Sequence, residues 1–406
     1  MEKIRFIHCA DLHLDSPFVG LKHVPPELFD RIQNSTFAAF ENLVKEAIQK
    51  KIDFMIISGD LFDEEDRSIR AQARLLNQFN LLNDFGIPVY VIHGNHDHLG
   101  SFRLELDMPR NVHVFNKETE VKELVTKSGS VVKLAGFSYG TRHIRERRIS
   151  DYPKQLEADY VIGLLHGSEG SVHSSHESYA PFTINELKEK NYHYWALGHI
   201  HQRQVLHHEP PIVYPGNIQG RHRKETGEKG CYLVELLDHD AVLEFISTQD
   251  LLWEKIEVSL EGVERFGEIF QRISRTAEEY EGIDDCLLQV VLEDYQSLSP
   301  EMIEAIEGGD LLQALQTDLQ TGERIKWIHS IKLSRIENVD IDVKDPFISD
   351  VIAALTDIDV EEGVKALAEI YEHPSLYRYI DPLSEEELSH LVEEAVDLIL
   401  HPARNQ

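Results

Sequence analysis

The feature of this sequence that most constrains its fold is a series of short apolar runs separated by longer amphipathic segments. The runs are rich in β-branched and aromatic residues and show no apolar–polar alternation, which is typical of strands buried on both faces of a sheet. Between them, residues 26–50 and 67–85 carry apolar side chains at helical spacing. This alternation of strand and helix predicts an α/β fold. The apolar runs occupy residues 4–8, 54–57, 88–92, 131–135, 160–165 and 194–197.

The pattern changes after about residue 250. Strand and helix patterns there predict a smaller α+β unit, and only helical patterns follow residue 345. The predicted strands cover residues 253–260, 286–292 and 324–333, and the predicted helices cover 263–280 and 301–319. We therefore expect three regions, at residues 1–250, 251–338 and 339–406.

The charge of the chain is strongly negative and unevenly distributed. The 406 residues contain 40 Lys+Arg and 72 Asp+Glu, a formal net charge of −32. Residues 251–406 hold 12 of these basic and 36 of these acidic residues, whereas 18 of the 22 histidines precede residue 251. This balance argues against tight, diffuse binding to a phosphate backbone, so we expect any contact with nucleic acid to be local.

The cysteine content and the hydropathy of the chain argue against two further classes of protein, those stabilised by cysteines and those that span a membrane. Cys9, Cys231 and Cys286 are far apart and show no CxxC spacing, so neither a disulfide framework nor a thiolate zinc site is expected. No run of about 18 uncharged apolar residues exists, as a membrane span would need. We expect a soluble cytoplasmic protein with no membrane partner.

Polar clusters follow five of the apolar runs, at the carboxyl ends where α/β sheets place their active sites. Each cluster alone is ambiguous, because an Asp-x-His pair, a buried histidine or a Gly-Asn turn often has only a structural role. Five such clusters in succession, all offering oxygen or nitrogen ligands, favour a metal centre. The clusters are Asp11-Leu12-His13, Gly59-Asp60-Leu61-Phe62-Asp63, Gly94-Asn95-His96-Asp97, His166-Gly167 and Gly198-His199-Ile200-His201.

The number of candidate ligands indicates two metal ions. Seven ligands are too many for one tetrahedral zinc ion and suit two ions that share a carboxylate. Asp60, in the central cluster, is the candidate for the shared ligand. The seven candidates are Asp11, His13, Asp60, Asn95, His166, His199 and His201.

The same clusters resemble the calcineurin-like dinuclear metallophosphoesterases over about the first 220 residues. Together with the turn Tyr214-Pro215-Gly216-Asn217, they are most similar to the SbcD-type DNA repair nucleases within that family. The resemblance implies a four-layer αββα sandwich, a smaller α+β capping domain and C-terminal helices. By position, it assigns Asp11, His13, Asp60 and His201 to one ion, and Asp60, Asn95, His166 and His199 to the other.

The resemblance also suggests residues that act beside the metals. His96 falls on the catalytic histidine of the family. Asp63 stands where many repair nucleases carry histidine, and either orients His96 or merely begins a helix at residues 64–66. Arg221 and Arg223, in a short basic stretch, either contact substrate phosphates or form a solvated surface.

The function that the resemblance implies is metal-dependent hydrolysis of phosphodiesters in DNA, by exonuclease or endonuclease action. Four histidines among seven ligands favour Mn²⁺, Fe²⁺ or Zn²⁺ over Mg²⁺ and Ca²⁺. The alternatives are a phosphatase or small-molecule phosphodiesterase of the same superfamily, and a metal-binding scaffold. The resemblance further implies an SMC-like coiled-coil ATPase partner, bound through a C-terminal helix at residues 385–401. A homodimer contact through helix 67–85 also stays open.

Overall fold

The computed structural model describes residues 2–18, 21, 24–63, 68–100, 106–170, 179–238, 240–280, 285–318 and 325–334. The chain divides into two compact units, Met1–Ser334 and Arg335–Gln406. The second unit, with the predicted C-terminal helices, lies outside the described residues. The predicted domain boundary at residue 250 falls within the first unit and stays a prediction.

The first unit contains fifteen strands and six α-helices among its described residues. In chain order they are β1 (Ile4–Cys9), α1 (Pro26–Gln49), β2 (Phe54–Ser58), α2 (Ile69–Asp84), β3 (Val89–Ile92), β4 (Val112–Val114), β5 (Glu120–Val125), β6 (Val131–Gly136), β7 (Tyr160–His166), α3 (Ile184–Lys188), β8 (Tyr194–Gly198), β9 (Gln204–His208), β10 (Pro211–Tyr214), β11 (Gly230–Leu237), β12 (Asp240–Ser247), β13 (Leu252–Ser259), α4 (Phe266–Glu279), β14 (Cys286–Glu293), α5 (Pro300–Glu307), α6 (Asp310–Asp318) and β15 (Lys326–Leu333). Short 3-10 helices cover Ile149–Asp151 and Tyr295–Ser297.

Two six-stranded sheets form the larger part of this unit. The first has the order β12-β11-β1-β2-β3-β4, and the second has the order β5-β6-β7-β8-β10-β9. Strands β1 to β4 are parallel to one another, as are β6, β7, β8 and β10. All six apolar runs of the sequence form strands in these parallel segments, so the α/β prediction is confirmed.

The two sheets pack face to face between outer layers. Along β1, Phe6 points into the core between the sheets, whereas Ile7 points into the core beneath α1 and α2. The outer face of the second sheet is covered by α3 and the loops around it, with Trp195 and Leu187 in a third core. Helix, sheet, sheet and helix layers follow one another, as expected for an αββα sandwich.

A third sheet, of parallel strands β13, β14 and β15, packs against α4, α5 and α6. The sequence predicts more than one helix over residues 301–319, and the structure has two, because the chain breaks into α5 and α6 at Gly308 and Gly309. Gly309 has a φ of +91°, which only glycine adopts readily, and this ends α5.

This α+β part packs directly on helix α1. The Arg31 guanidinium donates to the carboxylates of Asp250 and Asp285, at 3.0 and 2.6 Å. Trp253 and Trp327 share a buried apolar cluster with residues of α1. None of the helices among the described residues is long and apolar enough to cross a lipid bilayer.

Candidate metal centre

The ends of β1 and β2 place three candidate ligands by an unusual backbone conformation. Asp11, His13 and Asp60 have φ values of 52°, 42° and 51°. Their loops stay paired beyond the strands, since the Asp11 N–H donates to the Gly59 carbonyl at 3.1 Å and the His13 N–H donates to the Asp60 carbonyl at 3.0 Å. Left-handed backbone at non-glycine residues is strained and persists where the surrounding structure fixes it, typically at functional sites.

Asp60 lies at the centre of the site. Its Oδ2 atom is 3.3 Å from Nε2 of His166 and 3.8 Å from Nε2 of His13. Its Oδ1 atom accepts the backbone N–H of His96 at 3.0 Å. Because this buried carboxylate contacts histidines from both predicted ligand groups, it has the position that a shared ligand needs.

The second predicted ligand group converges on a side-chain amide. Oδ1 of Asn95 lies 3.0 Å from Nε2 of His166 and 3.2 Å from Nδ1 of His199. Nδ1 of His166 lies 2.9 Å from the carbonyl oxygen of Ser58, which fixes the ring. The carboxylate of Asp11 accepts the backbone N–H of His199, at 3.1 Å to each oxygen.

The first predicted group contains two imidazoles that face each other. Nε2 of His13 and Nε2 of His201 are 3.0 Å apart. On the far side of the rings, Nδ1 of His13 lies 2.9 Å from Oδ1 of Asp63, and Nδ1 of His201 lies 2.7 Å from Oε1 of Glu225. Asp11, His13 and His201 together could hold one metal ion.

The two carboxylates that flank the imidazoles, those of Asp63 and Glu225, are ionised. Burial alone would raise the pKa of Asp63 and of Glu225, but contacts with the histidines and the charge of Arg221 hold both well below the ordinary range. An ionised carboxylate can only accept, so Nδ1 of His201 donates its proton to Glu225. This leaves Nε2 of His201 facing Nε2 of His13, and a cation between or beside the two atoms would stabilise the arrangement.

Electrostatics elsewhere in the site also favour a bound cation. Burial alone would lower the pKa of His166, but the carboxylates of Asp60 and Asp11 raise it to about 9. Burial raises the pKa of Asp11 to about 6. In the protein alone a proton on His166 therefore offsets the buried carboxylates, and a divalent ion can replace that charge.

Glycines beside the site leave room for His166. A Cβ atom on Gly94 would lie 2.6 Å from Nε2 of His166 and would also collide with Asp60. A Cβ atom on Gly59 would collide with Nδ1 of the same ring. The glycines of the Gly-Asp and Gly-Asn pairs therefore serve close packing, besides the sharp turn expected from the sequence.

His96 and Asp63 lie side by side, but their contact runs through the backbone. Nδ1 of His96 donates to the carbonyl oxygen of Asp63 at 2.8 Å. The Asp63 carboxylate contacts His13, Arg221 and Ser16 instead. The alternative for Asp63, a helix start at residues 64–66, lies outside the described residues.

The two candidate substrate arginines have different surroundings. The Arg221 guanidinium is largely buried and is paired with the carboxylates of Asp63 and Glu225. Arg223 is exposed to solvent. Sequence reasoning missed Glu225, whose only signal is a single acidic residue directly after a basic stretch.

Comparison with known proteins agrees with this geometry. Residues 4–203 match the family of calcineurin-like phosphoesterases. The chain is 38% identical to the uncharacterized metallophosphoesterase YhaO of Bacillus subtilis, over 97% of this chain and 96% of that protein. It is 25% identical to the DNA double-strand break repair protein Mre11 of Methanocaldococcus jannaschii, over 66% of this chain and 73% of that protein.

Among solved structures, the protein described as GAP50, the anchor in the inner membrane complex of Plasmodium, covers 61% of this chain and 85% of its own length. That match has 15% sequence identity and a TM-score of 0.38. The family assignment rests on the sequence matches and on the buried cluster of aspartates and histidines at the strand ends. The chain belongs to the calcineurin-like metallophosphoesterase family.

Proposed function

We propose that this protein is a two-metal phosphodiesterase that cleaves DNA at or near ends, in the cytoplasm. The observation that carries the metal centre is the pair of Nε2 atoms of His13 and His201, 3.0 Å apart and each backed by a carboxylate. The similarity to a DNA double-strand break repair protein supports DNA as the substrate.

The proposed ligands form two groups that share one carboxylate. Asp60 belongs to both groups, because it lies within 4 Å of imidazoles on either side. Nitrogen and oxygen donors in this ratio favour Mn²⁺, with Fe²⁺ or Zn²⁺ as the next candidates. One group comprises Asp11, His13, Asp60 and His201, and the other comprises Asp60, Asn95, His166 and His199.

When bound, a pair of divalent ions polarises the phosphoryl oxygens and activates water for in-line attack. His96 is the proposed proton donor to the leaving oxygen. Its ring is held by the Asp63 carbonyl through Nδ1, and its backbone is held by Asp60. This leaves Nε2 of His96 as the atom that delivers the proton.

The experiment that tests this function compares three substrates with Mn²⁺ present: end-labelled duplex DNA, a chromogenic phosphodiester and a chromogenic phosphomonoester. We expect cleavage of DNA and of the diester, and a loss of roughly a thousandfold or more in Asp60→Asn, because the shared ligand is gone. Asp240→Asn, the same change at an exposed site on β12, should match the parent. Turnover of the monoester alone would overturn the nuclease proposal.

A phosphatase or small-molecule phosphodiesterase is the second candidate. The observation that favours it is the pairing of Arg221 with Asp63 and Glu225, since an arginine held in this way offers less to a DNA backbone. The three-substrate comparison separates the two activities directly. A metal-binding scaffold without catalysis is the third candidate, and turnover of any of the three substrates would eliminate it.

The proposed protein partner is an SMC-like coiled-coil ATPase, bound through the helix predicted at residues 385–401. That segment is outside the described residues, so the proposal rests on the sequence pattern and on the resemblance. Deleting residues 384–406 should abolish retention of the ATPase in a pull-down. Sedimentation of the full chain would test the proposed homodimer.

A further inference from the structure

We propose that Glu225 is a positioning residue for His201, and that it makes one of the two metal sites bind more tightly than the other. This inference rests on the proposed two-metal function and deepens it. It concerns an acidic residue outside the predicted ligand set.

Glu225 is buried, with its side chain 7% exposed, and its carboxylate is surrounded by donors. Oε1 lies 2.7 Å from Nδ1 of His201. Oε2 accepts the side-chain amide of Asn217 at 2.8 Å and the backbone N–H of Arg221 at 2.7 Å. With both oxygens engaged, the carboxylate cannot rotate, and it holds the His201 ring with Nε2 directed at His13.

Arg221 joins this carboxylate to a second one. Its guanidinium is paired with Asp63, which lies behind His13, and reaches Oε1 of Glu225 at 3.7 Å. The two imidazoles that face each other are therefore backed by two carboxylates that share one cation. Such outer partners fix the tautomer of a ligating histidine and increase its basicity.

The other predicted site has different support. Nδ1 of His166 lies against a neutral backbone carbonyl, that of Ser58, at 2.9 Å. A neutral carbonyl polarises an imidazole less than a carboxylate does. We therefore infer that the site containing His13 and His201 has the higher affinity, and that Glu225 supplies part of the difference.

The loop that carries Glu225 is anchored on the α+β part of the chain. Gln219 donates to the carbonyl of Leu251 at 2.6 Å and accepts the backbone N–H of Asp250 at 2.8 Å. The indole of Trp253 donates to the carbonyl of Gly220 at 2.9 Å. These bonds hold the loop rigidly enough for Glu225 to act as a fixed support.

The test is a Mn²⁺ titration of the metal-free full-length protein, in which electron paramagnetic resonance measures the concentration of free Mn²⁺ at each step. The parent should bind two ions with unequal affinities. Glu225→Gln, which keeps the shape but removes the charge, should weaken the tighter site by about 10-fold to 100-fold and leave the other within twofold. Glu228→Gln, on the same loop but exposed, is the matched control and should titrate like the parent.

Two further measurements separate positioning from a general structural effect. His201→Ala should affect the same site, and adding Glu225→Gln to it should weaken binding no further. In the metal-free protein, nitrogen chemical shifts should place the proton of His201 on Nδ1 in the parent and move it partly to Nε2 in Glu225→Gln. If Glu225→Gln does not fold, Glu225→Asp, which withdraws the carboxylate by one methylene, should show the same changes.

The outcomes are distinguishable. A parent that binds no divalent ion would overturn the proposed function and this inference together. A parent that binds two ions, with Glu225→Gln equal to the parent or with both sites weakened alike, would overturn this inference alone.

Discussion

Gly94 lies directly against His166, because a Cβ atom on Gly94 would approach Nε2 of that ring to 2.6 Å. The φ of Gly94 is not in the left-handed region, so a Gly94→Ala substitution acts through this collision rather than through backbone strain. The Asp60 carboxylate lies closer still to the Cβ position, so we predict that Gly94→Ala displaces both side chains and weakens Mn²⁺ binding at least about 10-fold at both sites, which share Asp60. A metal titration of the variant measures this directly.

A glycine in open space provides the control for that prediction. Gly267 lies in α4, and a Cβ atom there meets nothing within 4 Å. Gly267→Ala should leave metal binding unchanged and should raise the free energy of unfolding by about 0.5–1 kcal/mol, since alanine favours helix. Two ions bound with parent affinity by Gly94→Ala would contradict the close packing around His166.

His96 should contribute to turnover without contributing to metal affinity. Its Nδ1 is used by the Asp63 carbonyl. We predict that His96→Gln lowers kcat on a phosphodiester by about 10²-fold to 10⁴-fold, the usual contribution of a general acid, while both Mn²⁺ affinities stay within a few-fold. His113→Gln, on β4, is the control and should keep full activity. A comparable loss of metal affinity in His96→Gln would make His96 a ligand instead.

The fold was largely predictable because the central strands are apolar on both faces. The six apolar runs became β1, β2, β3, β6, β7 and β8, all in the parallel segments of the two sheets. The edge strands of the two six-stranded sheets, β4, β5, β9 and β12, were not predicted, because the composition of an edge strand follows local exposure rather than burial. In β5, for instance, Val121 and Val125 are exposed and alternate with partly buried Glu120, Lys122 and Leu124.

The site was predictable only where ligands follow strands. Asp11 and Asp60 occur at strand ends in the sequence, so their meeting follows from a parallel sheet. Glu225 reaches His201 through a loop held by Trp253 and Gln219, and such long-range support leaves no local pattern. For the same reason, no sequence pattern distinguishes the buried Arg221 from the exposed Arg223.

His8 should make stability fall in acid. It is fully buried between the Tyr194 hydroxyl, 2.9 Å from Nδ1, and the Leu197 carbonyl, 3.0 Å from Nε2. Burial lowers the pKa of His8 from 6.5 to about 3. Below pH 6.5 the unfolded chain binds a proton at His8 that the folded protein does not bind. The free energy of unfolding therefore decreases, through this residue, by about 1.4 kcal/mol per pH unit as the pH falls. The decrease ends when the pH reaches the pKa of His8 in the folded protein.

Urea unfolding of the metal-free protein between pH 7 and pH 4 measures the slope of the free energy of unfolding against pH. We predict that His8→Gln is less stable than the parent at pH 7, by about 1–3 kcal/mol, because its side chain cannot reproduce both contacts. The difference should narrow as the pH falls, since glutamine does not titrate. His208→Gln, on the exposed end of β9, should keep the parent's slope. If the free energy of unfolding has the same pH dependence in His8→Gln and in the parent, His8 is not a neutral buried residue.

The two arginines of the basic stretch should affect DNA binding differently. Arg223 is exposed and available to a phosphate, whereas the Arg221 guanidinium is held by Asp63 and Glu225. Removing one side chain that neutralises a phosphate should change the slope of log K against log salt by about 0.9. We therefore expect Arg223→Ala to make the slope shallower by about that amount and Arg221→Ala, measured with saturating Mn²⁺, to leave it unchanged. Arg275→Ala, on α4, controls for the removal of any positive charge.

Arg221→Ala should instead be detected in the metal titration. Removing the guanidinium leaves Asp63 and Glu225 without the cation that they share, so the carboxylates behind His13 and His201 no longer have a common partner. Affinity at that metal site should fall, while Arg223→Ala binds Mn²⁺ like the parent. If Arg221→Ala instead flattens the salt dependence as much as Arg223→Ala does, Arg221 must leave its carboxylates to contact the phosphate. The guanidinium would then act on the substrate rather than on the metal centre.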